Sequence, residues 1–240
     1  MRSAAVLLAL CAPGEGVEAV LSALSHTETT IRQVAGDSLS SNSEVAGYAV
    51  LPLLTALEEE TADTVKCALL RGLGAAGEAL TDHIAPIAAE LSKSESYKTR
   101  IEAAAALGRS TNMDAAAPLQ SALGDSYPSV RQAALSALQD LGWTPSGEVA
   151  RAMVALASDD WRTLKSIGSA AIPLLTQTLN ETSADKDAVE RRARAIDTLS
   201  AIGAELQATK TEVSTVVLPL IGRLADISGP ARAAAARGLG

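Results

Sequence analysis

A basic residue followed seven positions later by Leu recurs six times along this 240-residue chain. Successive basic residues are 34, 34, 31, 61 and 40 positions apart, and 61 is close to two units. The third position after each basic residue is small or apolar, and positions three and seven lie on one face of a helix. The repeat therefore predicts amphipathic helices that stack through a narrow seam. The six pairs are Arg32/Leu39, Lys66/Leu73, Arg100/Leu107, Arg131/Leu138, Arg192/Leu199 and Arg232/Leu239.

A second apolar segment, which contains a proline, precedes most of these helices, as in residues 50–54. Proline lacks a backbone donor, so its recurrence at one place in each unit predicts a first helix that is kinked or newly started there. Most of the second helices end in a hydrophobic residue followed by glycine, which predicts left-handed C-caps. The glycines concerned are Gly74, Gly108, Gly142 and Gly203.

Large side chains that could fill the middle of a thick core are scarce. Phe is absent and aromatic residues make up 2% of the chain, whereas 48 Ala and 32 Leu make up a third of it. A chain of this length normally builds one large core or two ordinary ones. The composition excludes both and favours helices packed closely in thin layers.

The segment DSYPSVRQAALSALQDLG at residues 125–142 resembles the HEAT repeat, in particular its short PBS-lyase HEAT-like variety. Residues 143–168, with Trp143 and Trp161, look like an irregular linking unit of that family, in which both Trp side chains serve packing. The resemblance implies an all-α fold, a right-handed α-solenoid (alpha-alpha superhelix) of about six to seven helical pairs. It implies one domain over residues 1–240, with regular repeats over 1–142 and further repeats over 169–240. Residues 2–11 and 229–240 both look like second helices, so we expect a segment of a longer array or ends that are buried against a partner.

The charge balance and the motifs exclude several kinds of partner. The formal net charge is −8 and the isoelectric point is near 4.9, which argues against nucleic acid, because phosphate neutralisation needs surplus Lys and Arg. No apolar run is long enough to predict a membrane span. Two histidines and two distant cysteines give no metal-binding spacing, and residues 72–77 match a nucleotide fingerprint only by accident, since they follow a helix. We expect no catalytic residue, cofactor or metal, and two buried thiols in a reducing compartment.

Two interpretations of the N-terminus stay open. Residues 1–12 have the charged start and short apolar stretch of a signal peptide, which would mean export. The alternative, that Arg2-Ser3-Ala4-Ala5 repeats the element Arg131-Gln132-Ala133-Ala134, is favoured because the rest of the chain repeats the same pattern. We therefore expect a cytoplasmic protein.

The charged residues of the repeat are interpreted first as structural. The repeated basic residues are expected to pair with carboxylates of their own or the next unit, among them Asp63, Asp125 and Asp187. The cluster at residues 191, 192 and 194 is expected to be a solvated helix start. Residues 58–60 are expected to form a polar turn.

A surface then remains as the candidate for function. In the HEAT family the second helices line a concave face, and residues one and five positions after the basic residue should point outward from it. This column is small and weakly polar, which suits a partner helix or extended peptide. The leading hypothesis is a non-enzymatic scaffold for protein–protein interaction, of unknown oligomeric state. The alternative is a phycobilin-lyase-like subunit that handles a linear tetrapyrrole and its phycobiliprotein. The column comprises Gln33, Asp37, Cys67, Arg71, Ile101, Ala105, Gln132, Ser136, Ala193 and Asp197, and the candidate partner-binding residues are Gln33, Asp37, Arg71, Gln132, Ser136 and Asp197.

Overall fold

A computed structural model describes residues 15–180, 186–208 and 214–239, and within these ranges the chain is helical, without strands. The chain divides into two compact units, Met1–Thr144 and Pro145–Gly240. The division falls within the segment expected to be an irregular linking unit. The single domain expected over residues 1–240 stays a prediction, and the interpretations of residues 1–12 lie outside the described residues.

The first unit contains four helical pairs joined by short turns. The second helices of successive pairs pack against one another, α2 on α5, α5 on α7 and α7 on α9, and each first helix packs on its own second helix. Its helices are α1 (Glu15–Ala23), α2 (Thr29–Leu39), α3 (Ser43–Tyr48), α4 (Val50–Glu59), α5 (Asp63–Ala75), α6 (Ile84–Lys93), α7 (Tyr97–Gly108), α8 (Ala116–Ala122) and α9 (Pro128–Asp140). The helical pairs are α1/α2, α4/α5, α6/α7 and α8/α9.

The second unit contains two further pairs, α12/α13 and α14/α15, preceded by two helices around Trp161. The side chain of Trp161 packs against the core of this unit, as expected for a packing residue. Its helices are α10 (Gly147–Ala157), α11 (Trp161–Ile167), α12 (Ile172–Leu179), α13 (Lys186–Ala208), α14 (Ser214–Arg223) and α15 (Gly229–Leu239).

The seam predicted from the repeat, at positions three and seven after each basic residue, forms the core of both units. The Leu residues at the seventh position are fully buried in five of the six repeats, and Leu239 is the exception at 36% exposure. The repeated prolines lie in the first turn of α4, α6, α8 and α12, which confirms the newly started first helix, whereas Pro219 lies inside α14. Both units are therefore all-α solenoid segments of stacked helical pairs.

Most of the glycines at the ends of second helices do not serve as caps. Gly142 has a positive φ of 71°, as expected, but Gly74, Gly108 and Gly203 lie within helices and have no left-handed conformation. A Cβ built on Gly108 would lie 2.7 Å from the Cα of Ala137 on the next second helix. The cap prediction was wrong for these three residues. In the first unit their role is close helix approach, because α5 touches α7 at Gly74 and α7 touches α9 at Gly108.

Candidate functional site

The basic residues of the repeat join one helical pair to the next. Four of them each form an ion pair with a carboxylate of the following pair, and we call this arrangement the clamp. In Arg100, Nη1 donates to the carbonyl oxygens of Ser94 (2.8 Å) and Glu95 (3.1 Å), in the turn of its own pair. Nε and Nη2 donate to both carboxylate oxygens of Asp125 in the next turn, at 2.7 and 3.0 Å. This is a bidentate ion pair, in which the planar guanidinium group (the fork of Arg) donates to both oxygens of the carboxylate.

The same clamp recurs at Arg32, whose fork holds Glu60 at 2.7 and 3.1 Å. Hydrogen bonding to Arg32 lowers the pKa of Glu60, whose side chain is 4% exposed. Lys66 pairs with Glu90 at 2.7 Å. The structural interpretation of the basic residues is thus confirmed, with a different set of acids. The pairing carboxylates are Glu60, Glu90, Asp125 and Asp226, so Asp125 was predicted correctly and Asp63 and Asp187 were not.

Two expectations about charged clusters hold for only part of each cluster. Arg191 and Arg192 are 6% and 1% exposed, so they lie in the core and only Arg194 is solvated, where it pairs with Glu190. Arg192 lies 3.6 Å from Asp226, at the clamp position of its repeat. Glu60, expected in a polar turn, is buried as the clamp partner of the α1/α2 pair. The run of charges alone did not show which of its members face the core.

Polar side chains line the outer side of the second helices of the first unit. Arg71 joins three successive helices, since it contacts Asp37 of α2 at 2.6 Å and Glu102 of α7 at 2.8 Å. Gln132 and Ser136 are exposed on α9, at the same places in their repeat. We call this surface the second-helix face; it comprises Gln33, Asp37, Arg71, Glu102, Gln132 and Ser136.

The structure brings some of the predicted column together and corrects one member. Asp37 and Arg71 are in contact, and Gln33 is half-buried one turn before Asp37. Cys67 is 8% exposed, which confirms the expected buried thiol and corrects its place in the outward-facing column. Burial raises the pKa of this thiol, which does not favour an activated nucleophile. Asp197 belongs to the second unit, where it lies exposed 3.2 Å from Arg237.

Residue patterns alone did not reveal the groove between the first helices α6 and α8. It has a volume of about 830 Å³, and the clamp formed by Arg100 and Asp125 contributes to its lining. The alanines of α6 leave this space open, and they are the sequence signal that could have located it. The other lining residues include Ala85, Ala88, Ala89, Pro118, Ser121 and Ala122.

Two further observations limit the chemistry that the described residues support. Among them, no group of three or more His, Cys, Asp or Glu side chains is placed to hold a metal ion. No helix in the described ranges is both long enough and apolar enough to cross a membrane. The second-helix face and the groove remain as the candidate binding surfaces.

Stacked helical hairpins, clamped pair to pair by buried arginine and carboxylate side chains, define an α-helical repeat protein. Residues 84–167, from the start of α6 to the end of α11, match the sequence profile of HEAT repeats. The segment over residues 84–167 therefore consists of HEAT repeats.

The chain is also similar to two crystal structures. One is an engineered protein with 19% sequence identity and a TM-score of 0.46, and the alignment covers 93% of this chain and 94% of that protein. The other is an archaeal HEAT-like repeats protein from Thermococcus onnurineus NA1, with 15% identity, a TM-score of 0.41, and coverage of 98% and 89%. No curated protein matches the chain.

Proposed function

We propose that this protein is a non-enzymatic scaffold that binds a helix or extended peptide of a partner protein on the second-helix face. One observation carries the proposal: Arg71 links three successive second helices into a single surface on which charged and polar groups stay half-exposed. A rigid array of this kind offers alternating hydrogen-bonding groups at a fixed spacing.

The chemistry of the face favours a protein partner. Its charges have both signs, with Asp37 and Glu102 on either side of Arg71, so it lacks the basic surplus that nucleic acid requires. Uncharged Gln132 and Ser136 continue the face on α9, where they can exchange hydrogen bonds with a peptide backbone.

The experiment compares two double variants of the intact chain. A partner is first identified by affinity capture with cross-linking from the native host, and its affinity is then measured with purified proteins. The test variant is Gln132→Arg with Ser136→Arg on α9. The control is Ala117→Arg with Ser121→Arg on α8, because these residues are also exposed and four positions apart in the same pair.

We expect the α9 variant to weaken binding at least tenfold, because two long charged side chains obstruct the face, and the control to bind like the wild type. The reverse result would move the partner to the first-helix groove and overturn the proposal. Equal binding by both variants would also refute it.

The bilin-handling alternative stays a prediction that no contact among the described residues favours. A change in visible absorbance when a linear tetrapyrrole is mixed with the intact chain checks it directly.

A further inference from the structure

The groove between α6 and α8 exists because α6 carries alanine where other first helices carry larger side chains. Ala85 and Ala88 lie just before and two positions after the proline of their repeat. The corresponding places of α4 and α12 hold Leu or Ile, and all of these except Leu51 are buried: Leu51, Leu54, Ile172 and Leu175. The stack therefore accepts large apolar side chains at these places. Their replacement by alanine leaves a groove of about 830 Å³ beside α6.

The walls of the groove are apolar and consist of short side chains. Ala85, Ala88 and Ala89 line it from α6, and Pro118 and Ala122 line it from α8. Short side chains let the axes of two packed helices approach to about 8 Å, the lower end of the usual range. α6 has ten residues and is therefore about 15 Å long. A helix of about three turns matches this length and can lay its own apolar side on these walls.

Two carboxylates lie where the groove meets the turns that precede α6 and α8. Asp114 lines the groove and Asp82 lies on the adjoining turn; both are exposed, and neither forms an ion pair with another described residue. The two turns are joined, because Nδ2 of Asn112 donates to the carbonyl oxygen of Thr81 at 2.6 Å, and Oγ1 of Thr81 donates to that of Ser110 at 2.9 Å. This end of the groove therefore holds negative charge on a fixed support.

The remaining charges favour the same kind of occupant. At the opposite end of the groove, Arg100 and Asp125 neutralise each other in the clamp. Residues 1–144 contain 17 acidic and 9 basic residues, whereas residues 145–240 contain 11 of each, so the whole net charge of −8 belongs to the first unit. Two copies of this unit would repel each other, which disfavours a second copy as the occupant. Charge complementarity favours a basic partner.

We propose that the groove between α6 and α8 binds a basic amphipathic helix of another protein. The apolar side of that helix covers Ala85, Ala88 and Pro118, and Lys or Arg side chains at one of its ends meet the carboxylates of Asp82 and Asp114. The groove shares no lining residue with the second-helix face. This docking site therefore goes beyond the proposed function, and each of the two sites can be tested without the other.

The test uses the intact chain and two fluorescein-labelled peptides of about three helical turns, made helical by a side-chain staple. Both peptides have Ala and Leu along one side. The lysine peptide carries a cluster of lysines at one end, and the glutamate peptide carries glutamates at the same places. Fluorescence anisotropy should show saturable binding of the lysine peptide that weakens as salt is added. The glutamate peptide should bind at least about tenfold more weakly, because its like charges meet the two carboxylates.

A pair of double variants tests the apolar part of the site. Ala85→Leu with Ala88→Leu fills the groove with side chains of the kind that α4 and α12 carry. It should weaken binding of the lysine peptide about tenfold, because the peptide helix can no longer approach α6 closely. The control is Ala233→Leu with Ala236→Leu on α15, which has the same spacing and lies at exposed places outside the groove. It should bind like the wild type.

A second pair of double variants tests the charges. Asp82→Asn with Asp114→Asn should weaken binding of the lysine peptide about fivefold, as for the loss of two exposed ion pairs. Glu58→Gln with Glu59→Gln removes the same charge from exposed places of the same unit. This control should change binding less than about twofold at about 0.15 M salt, where distant surface charges are screened.

Several results would overturn the proposal. One is no saturable binding of the lysine peptide, and another is equal binding of the lysine and glutamate peptides. A third is an equal loss for the groove-filling variant and for Gln132→Arg with Ser136→Arg, because the peptide would then not distinguish the groove from the second-helix face. Sedimentation would give a fourth, if the wild-type chain forms a dimer that the groove-filling variant separates into monomers, because a second copy would then occupy the groove.

Discussion

Replacing Gly108 with Ala tests whether glycine in the second helices allows close packing or only ends a helix. The added Cβ would lie 2.7 Å from both the Cα and the Cβ of Ala137, and 3.2 Å from its carbonyl oxygen. Carbon atoms in favourable contact are about 3.5–4.0 Å apart, so α7 and α9 must separate by about 0.8 Å or more. Backbone atoms cannot rotate away as a flexible side chain can.

The expected loss follows from two opposing effects. Overpacking of a core costs about 1–3 kcal/mol, and the helix propensity of Ala over Gly returns up to about 1 kcal/mol. Gly108→Ala should therefore lower the free energy of unfolding by about 1–2 kcal/mol. At about 2–4 °C per kcal/mol, the melting temperature should fall by roughly 2–8 °C.

Urea unfolding followed by far-ultraviolet circular dichroism measures the difference. The matched control is Gly47→Ala in α3, because a Cβ there meets only the side chain of Ala79 at an ordinary 3.7 Å. It should be neutral or stabilising by up to about 1 kcal/mol. For Gly74→Ala, whose Cβ would lie 3.3 Å from the Cα of Ala106, the free energy of unfolding should lie between those of the other two variants. If Gly108→Ala is as stable as Gly47→Ala, the close-packing explanation is refuted.

Three further predictions concern the buried charges. Arg191→Leu should raise the free energy of unfolding by roughly 1–4 kcal/mol, because Nε and Nη1 of Arg191 are buried and have no hydrogen-bond partner among the residues that the structure describes. The exposed control Arg194→Leu should show no gain in the same urea titration. Glu60→Gln should destabilise the chain most near neutral pH. Its lowered folded-state pKa means that the stabilisation is present above the unfolded value of 4.5 and fades as the pH falls below it, so variant and wild type should converge in acid. Asp125→Leu alone should lower the free energy of unfolding by about 3–5 kcal/mol, and adding Arg100→Met should restore most of that loss. The reason is that replacing both members of a buried ion pair by apolar side chains destabilises a protein far less than removing one member. No recovery in the double variant would contradict this prediction.

The sequence repeat predicted the stacked helical pairs because every repeat must meet the same packing requirement. Leu at the seventh position and Ala at the third are needed wherever one second helix meets the next, so the buried Leu39, Leu73 and Leu107 could be identified without a structure. Most of the second-helix face could be outlined in the same way, by counting one and five positions from the basic residue, but this count missed Glu102 at position two. Cys67 departs from that count because it packs towards Thr99 on the neighbouring helix, with Sγ 3.7 Å from Oγ1.

Local patterns misled where one residue type serves two purposes. Glycine after the last Leu suits a left-handed cap and also a close helix contact, and only the position of the next helix separates these roles. Alignment of the repeats would have corrected Arg191. It occupies the column of Val65, Thr99 and Val130, which are fully buried.

The clamps fix the alignment of successive helical pairs, which the Ala- and Leu-rich composition does not fix. A seam of Ala and Leu is nearly uniform along each second helix, so apolar packing alone distinguishes poorly between the correct alignment and one shifted by a turn. A shifted stack would bury the guanidinium of Arg100 or Arg32 away from its carboxylate, and an unpaired buried charge costs several kcal/mol. The correct alignment satisfies the guanidinium groups of Arg32 and Arg100 twice, by two carbonyl oxygens of their own turn and by an acid of the next. Each turn thus specifies which acid the following pair must present.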